Sequence, residues 1–195
     1  MIKVVLTSIL LSVAYLSINA QTLSIGPVIG VNSSSISKVE NGERLMGLSA
    51  GIFANYSINE KIGLNVKALF SQMGIASSVS DDKFRLNYVQ IPLSGVYFFG
   101  ETGDKFRPKV FLGPYVGILL AAKNGDIDIK QSFKSVDFGG QAGLGFNYSL
   151  KERMWLNVDL SYMAGFSNVY DTEIIEGKNN ALSLNIGLSF PIGAN

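Results

Sequence analysis

The chain has 195 residues, a formal net charge of +1, no Cys and no His. The missing thiols and imidazoles exclude disulfides, thiolate nucleophiles, Ser–His–Asp machinery and the commonest metal ligands, and the near-neutral charge gives no electrostatic reason to expect nucleic acid as a partner. Only 16% of residues are charged and 47% are hydrophobic, yet no internal run is long and apolar enough for a membrane-spanning helix, which leaves an unusually apolar soluble protein or a transmembrane β-barrel.

Residues 1–20 carry a basic start at Lys3, an apolar stretch over 4–16 and a polar end at Ser17, Asn19 and Ala20. This is the layout of a secretory signal peptide cut near Ala20–Gln21, so the folded domain is expected over 21–195.

From there the chain alternates. Residues 22–32 place Leu23, Ile25, Ile29 and Val31 on one face of an extended strand, and 46–57 do the same with Leu48, Ala50, Ile52, Ala54 and Tyr56. Successive strand side chains point to opposite faces, so a period of two predicts a strand, where a helix would show 3.6. The pattern recurs over 62–73 (Ile62, Leu64, Val66, Ala68, Phe70), 84–99 (Val89, Ile91, Leu93, Tyr97, Phe99) and 108–122 (Val110, Leu112, Val116, Ile118, Leu120). It returns over 136–150 (Phe138, Ala142, Leu144, Phe146, Tyr148), 154–168 (Leu156, Val158, Leu160, Tyr162, Phe166) and 180–192 (Leu182, Leu184, Ile186, Leu188, Phe190). Eight strands are predicted. The polar stretches at 33–45, 74–83, 123–135 and 169–179 read as long loops, and those at 58–61, 100–107 and 151–153 as short turns. Alternating long and short connections predict an up-and-down antiparallel barrel with both termini at the short-turn end.

Two features turn the apolar faces outward, towards lipid. The opposite faces are rich in Gly, Ser, Ala and Asn, which suit the narrow interior of an eight-stranded barrel better than a water-facing surface. Aromatics also gather at two heights: Tyr56, Tyr97, Phe99, Tyr148 and Phe190 towards the short turns, Phe70, Phe138, Tyr162 and Phe166 towards the long loops, as at the two interfaces of a membrane. The alternative is a soluble periplasmic or secreted barrel that binds an apolar ligand inside. Pro27, Pro92 and Pro114 fall within strands, so bulges or local distortion are expected there. The position of Trp155, at a strand end with inward parity, is left open between a plug and a turn.

The stretches Gly47-Leu-Ser-Ala-Gly-Ile-Phe-Ala54, Leu86-Asn-Tyr-Val-Gln-Ile-Pro-Leu93, Phe111-Leu-Gly-Pro-Tyr-Val-Gly117 and Asp137-Phe-Gly-Gly-Gln-Ala-Gly-Leu-Gly145 occur in an order and spacing that resembles the PorT-like outer-membrane β-barrel family of Bacteroidota. Asn185, Gly187, Phe190 and Ile192 in the last strand resemble the signal read by the outer-membrane assembly machinery. The resemblance implies an outer-membrane location, with the lipid bilayer and that machinery as partners. One branch of the family is linked to type IX secretion. Gln90 stands where the family often carries Glu.

Lys67, Arg85, Gln90, Asp137, Gln141, Asn157 and Asp159 are assigned to a polar network inside the barrel. Buried ions are costly unless paired, so Lys67 and Arg85 are expected to meet Asp137 or Asp159. No cofactor, metal site or enzymatic activity is expected. Asp137 with Asp159 is the one acid–base pair weighed, and Asp81, Asp82, Asp126 and Asp128 read as solvated loop charge. Function is expected to be structural or interactive, carried by four surface loops and linked to secretion or envelope maintenance.

Overall fold

The computed structural model describes residues 23–101, 103–172 and 176–192. The expected signal peptide lies outside them. The strands are β1 (Leu23–Ile36), β2 (Gly42–Ser57), β3 (Ile62–Ser77), β4 (Lys83–Phe98), β5 (Phe106–Asn124), a two-residue β6 (Ile127–Asp128), β7 (Val136–Lys151), β8 (Met154–Gly165) and β9 (Asn179–Ile192). All pairings are antiparallel. β1 closes on β9 from Leu23↔Ile192 to Ile36↔Asn179, and β4 pairs β5 as well as β3. Each of the eight long strands therefore has two neighbours, the sheet is a closed barrel, and β6 is a small flap folded back on β5.

The apolar faces point outward. Ile29 is 66% exposed, Leu112 71% and Ile52 65%, while Asn32, Ser49, Asn65, Ser94 and Ser161 on the opposite faces are buried. A soluble barrel around an apolar ligand requires the reverse, so that alternative is set aside. The exposed aromatics Tyr97, Phe99, Tyr148 and Phe190 lie near the turn end, and Phe70, Phe138, Tyr162 and Phe166 towards the loop end.

Three expectations change. First, half or more of each of two of the four long loops is strand. β1 runs on to Ile36 and β2 starts at Gly42, leaving a connection over 37–41, and β3 and β4 leave one over 78–82. Strands of 16 residues extend about 53 Å and rise about 40 Å at a tilt near 40°, beyond an apolar band of about 25 Å, so their polar ends stand clear of hydrocarbon as sheet. The long connections at this end are 125–135 and 166–178. Second, the interior is not uniformly polar. Ile36, Met73, Ile75, Leu86, Tyr88, Tyr115, Leu119, Met163 and Val169 form an apolar core at the loop end, and Val96, Phe98 and Phe111 a smaller one at the turn end. Third, of the bulges or local distortion expected at the prolines, the distortion is what occurs: they sit at missing rungs, with the register unchanged. Pairing of β1 with β9 lapses at Gly26 and Pro27, and that of β4 with β5 lapses opposite Gly113 and Pro114; the register on both sides is the same. Proline has no N–H to give. The glycine before it lets the neighbouring backbone close in, since a Cβ at Gly26 would lie 1.6 Å from the Leu188 carbonyl oxygen and one at Gly113 1.9 Å from that of Leu93. The register shifts fall elsewhere, between Arg44 and Ser49, Asn87 and Tyr88, and Ser149 and Lys151.

A methyl at Gly113 must push the β4 backbone aside, whereas one at Gly95 meets only the Leu112 carbonyl oxygen at 3.9 Å. We expect Gly113→Ala to cost about 1–3 kcal/mol and Gly95→Ala close to nothing. The temperature at which the fast-migrating folded band disappears on unboiled gels reads both, and equal midpoints for the two variants would contradict the close approach.

Candidate functional site

The centre of the lumen is built on Asp159. Its β8 position faces Gly145 across one ladder and Asn185 across the other, and its side chain points inward. Lys67 from β3 places Nζ 2.8 Å from Oδ2, and Lys109 from β5 places Nζ 2.7 Å from Oδ1. All three side chains are less than a tenth exposed. One carboxylate between two ammonium groups leaves a surplus positive charge, which is spread by neutral neighbours: Lys109 Nζ donates to Asn147 Oδ1 at 2.8 Å, and Lys67 lies 5.7 Å from the centre of the Phe111 ring. Towards the turn end, Asn65 donates to Asn55 at 2.6 Å, Asn55 to Asn157 at 3.3 Å, and Asn157 to Ser189 Oγ at 2.9 Å.

Asp137 forms a second cluster nearer the loop end. Tyr115 OH donates to its Oδ2 at 3.1 Å, Asn179 Nδ2 donates to the same oxygen at 2.9 Å, and Ser167 Oγ donates to Oδ1. Asn179 also donates to Tyr88 OH at 3.2 Å. No cation pairs with Asp137 among the described residues. Asp137 and Gly145, the register partner of Asp159, are eight positions apart on β7, about 26 Å along the strand. The two acids are too far apart to share a reaction, since acid–base carboxylate pairs work within about 10 Å.

Gln141 donates to Ser94 Oγ at 2.6 Å and Gln90 to Met73 Sδ at 3.0 Å, both inside. Arg85 is not inside. It is exposed on the outer wall at the loop end, in step with Val89 and Ile91. The odd parity of β4 already assigns it there. Lys109 was missed for the converse reason: Val110 and Leu112 point outward, so the period of two turns Lys109 inward. Asn179 and Ser167 could not be reached this way, because both act from strand ends that the loops bring together. Trp155 is half-buried and lines the open turn-end mouth with Arg107, Phe98, Asn55 and Ser189.

At the loop end the lumen is capped. Residues 129–135 and 166–178 meet through the bridge Phe133↔Tyr170, with Lys134 N–H donating to the Val169 carbonyl and Asp171 N–H to that of Ser132. Phe133 and Val169 are thereby buried over the apolar core. Lys38 in the first connection pairs with Glu176, which holds the Glu176 carboxyl below its usual range. At this cap lies a cleft of about 620 Å³, lined by the apolar Val39, Ile75, Phe84, Ile129 and Phe133, by Tyr170, and by the polar Gln131, Ser132, Asp171 and Thr172. Burial among these groups raises the Tyr170 phenol above its ordinary value. No group of three or more His, Cys, Asp or Glu side chains is disposed to hold a metal among the described residues. Asp82 and Asp128 instead accept hydrogen bonds within their own turns.

Removing Asp159 leaves two buried ammonium groups, whereas removing Lys109 leaves one balanced pair. Asp159→Asn is therefore expected to cost about 3–5 kcal/mol, and Lys109→Met considerably less. Urea midpoints in lipid vesicles measure both. The reverse order would mean that the surplus charge, and not the shared carboxylate, is what the centre needs.

The structure is similar to that of the Neisserial surface protein NspA, at 18% identity over 88% of this chain and 100% of that one, with a TM-score of 0.62. It is similar also to the outer membrane protein OprG of Pseudomonas aeruginosa, at 20% identity, coverage of 90% and 97% and a TM-score of 0.58. A third resemblance, to the attachment invasion locus protein Ail of Yersinia pestis in complex with the heparin analogue sucrose octasulfate, has 15% identity, coverage of 87% and 99% and a TM-score of 0.51. At these identities the likeness is one of fold. Among curated proteins nothing matches the chain. The family model described as "Outer membrane protein beta-barrel domain" matches residues 16–171. That match spans most of the chain, which therefore belongs to the outer membrane protein beta-barrel domain family.

Proposed function

We propose that the protein is a sealed, non-enzymatic barrel of the outer membrane that works from its loop end, where the cleft takes up a small amphiphile. The observation that carries this reading is the cleft itself. Its volume of about 620 Å³ lies within the range of small-molecule sites, and its lining is mainly apolar with a few polar groups, which suits a hydrocarbon tail with a polar head. The cap formed by Phe133 and Val169, and the lysines drawn onto Asp159 below it, argue against an open pore and direct attention to the mouth. The chain has neither His nor Cys, and its buried acids are separated and engaged, which supports a binding role over catalysis.

The resemblance to PorT-like barrels of Bacteroidota supports placing this role in secretion or envelope maintenance, with a protein partner at the loops as an extension of it. Export by a signal peptide cut after Ala20, followed by insertion through the assembly machinery, completes the reading. The mature protein is then expected to begin at Gln21. N-terminal sequencing of the protein from an outer-membrane fraction tests this, and recovery of an uncut chain would overturn it.

Decanoate is a suitable probe of the cleft. In bilayer nanodiscs, the methyl signals of Ile75 and Ile129 are expected to shift saturably as decanoate is added, while that of the outward-facing Ile186 changes only slightly and without saturation. Ile129→Glu places a charge on the cleft wall and should abolish the saturable part. Equal, linear shifts at all three isoleucines would mean simple partition into the bilayer and would refute the cleft as a site.

A further inference from the structure

Arg85 and Lys123 are direct partners across the β4–β5 ladder, both are exposed, and both stand on the outer wall. Like charges directly opposite in a sheet repel. Neither takes part in an ion pair among the described residues. The nearby acids make their bonds elsewhere: Asp128, level with Lys123 on β6, accepts from Lys130 N–H at 2.9 Å, Asp82 accepts from Ser80 at 2.8 Å and from Asn124 at 3.2 Å, and neither forms an ion pair with Arg85 or Lys123. Asp126, in the bend before β6, is exposed. A third cation, Lys134, is exposed two positions before the outward-facing Val136, whose register partner is Ile118 of β5.

Beneath Arg85 the outward face of β4 carries Asn87 and then the apolar Val89 and Ile91, while the outward Ile118 and Leu120 on β5 and Val136 on β7 are apolar. Arg85 is four positions above Val89, which is about 13 Å along the strand and about 10 Å in height at the tilt of such barrels. The headgroup layer is some 5–8 Å deep on each side of the hydrocarbon, and long cationic side chains bend back towards it. An anion held at that level would relieve the repulsion that the fold builds in.

We propose that Arg85, Lys123 and Lys134 form a seat on the outer wall for the phosphate of a lipid headgroup, that of a phosphorylated glycolipid such as lipid A. The seat rests on the barrel's placement in a bilayer and not on the cleft reading.

Nanodiscs of phosphatidylcholine with a minority of bis-phosphorylated lipid A provide the test, with retained lipid counted by native mass spectrometry. The wild type is expected to retain lipid A in preference to its fully dephosphorylated form. Arg85→Gln and Lys123→Gln should each lower retention about fivefold, and Arg85→Lys should preserve it. All three side chains are exposed, so folding should survive, and the heat-modifiable band confirms this for each variant. Unchanged retention in the double Gln variant, or equal retention of dephosphorylated lipid, overturns the proposal. Displacement of lipid A by excess inorganic phosphate overturns the lipid assignment in favour of a soluble anion site. Decanoate titration in the same discs reports separately on the cleft, and failure of the chain to enter discs would mark failure of the bilayer placement itself.

Discussion

In hydrocarbon there is no water to pair with a free backbone N–H or C=O, and each unpaired group costs several kcal/mol. The pairing of β1 with β9 answers that constraint, because it removes the two edges the sheet would otherwise expose. Much else follows from closure. The even strand number brings the start of β1 and the end of β9 to the turn end, the interior is cut off from lipid, and local faults in the ladder must be absorbed without opening it. Gly26 and Gly113 show how this is done: the rung next to each proline is given up, the neighbouring backbone moves into the space a Cβ would take, and the register continues.

Closure creates a second problem inside. An eight-stranded barrel is just wide enough to be filled by side chains. Here the filling is layered. Apolar residues occupy both ends, Lys67, Lys109 and Asp159 are buried between them beside Val28 and Phe53, and Asp137 is buried at the edge of the loop-end core, against Tyr115. Taken together these four are neutral, yet they are divided into a centre with one positive charge in surplus and an aspartate held by hydroxyl and amide donors with no cation beside it among the described residues. Such a network ties β3, β5 and β8 across the lumen and leaves little free path through it.

The outer wall is organised by the same alternation turned inside out. Leucines, isoleucines and valines meet acyl chains, aromatics mark both margins, and cations stand above the apolar band at the loop end. Because the strands continue past that band, the loop end is a rigid rim carrying two longer segments. The contact of Phe133 with Tyr170 joins those segments, seals the lumen beneath them and shapes the cleft. A structural cap and a candidate binding surface are thus two sides of one packing event.

The order of the strands, their outward faces and the barrel's closure were legible in the sequence, because a period of two is a local property that each segment carries by itself. The same period assigns Lys109 to the interior and Arg85 to the exterior, so both were within reach of a strict count. It does not tell a polar strand end from a loop: residues 33–35 and 42–44 are hydrophilic in either state, and only pairing with β9 and β3 makes them sheet. Nor does it show that Ile36, Met73, Tyr88 and Met163, distant in sequence, converge on one apolar core, or that Asn179 and Ser167 reach Asp137 from the ends of two strands. Alternation along a strand is dictated by the backbone. Which side chains meet across a lumen depends on the register and on the fold of the loops, and these exist only once all the strands are in place.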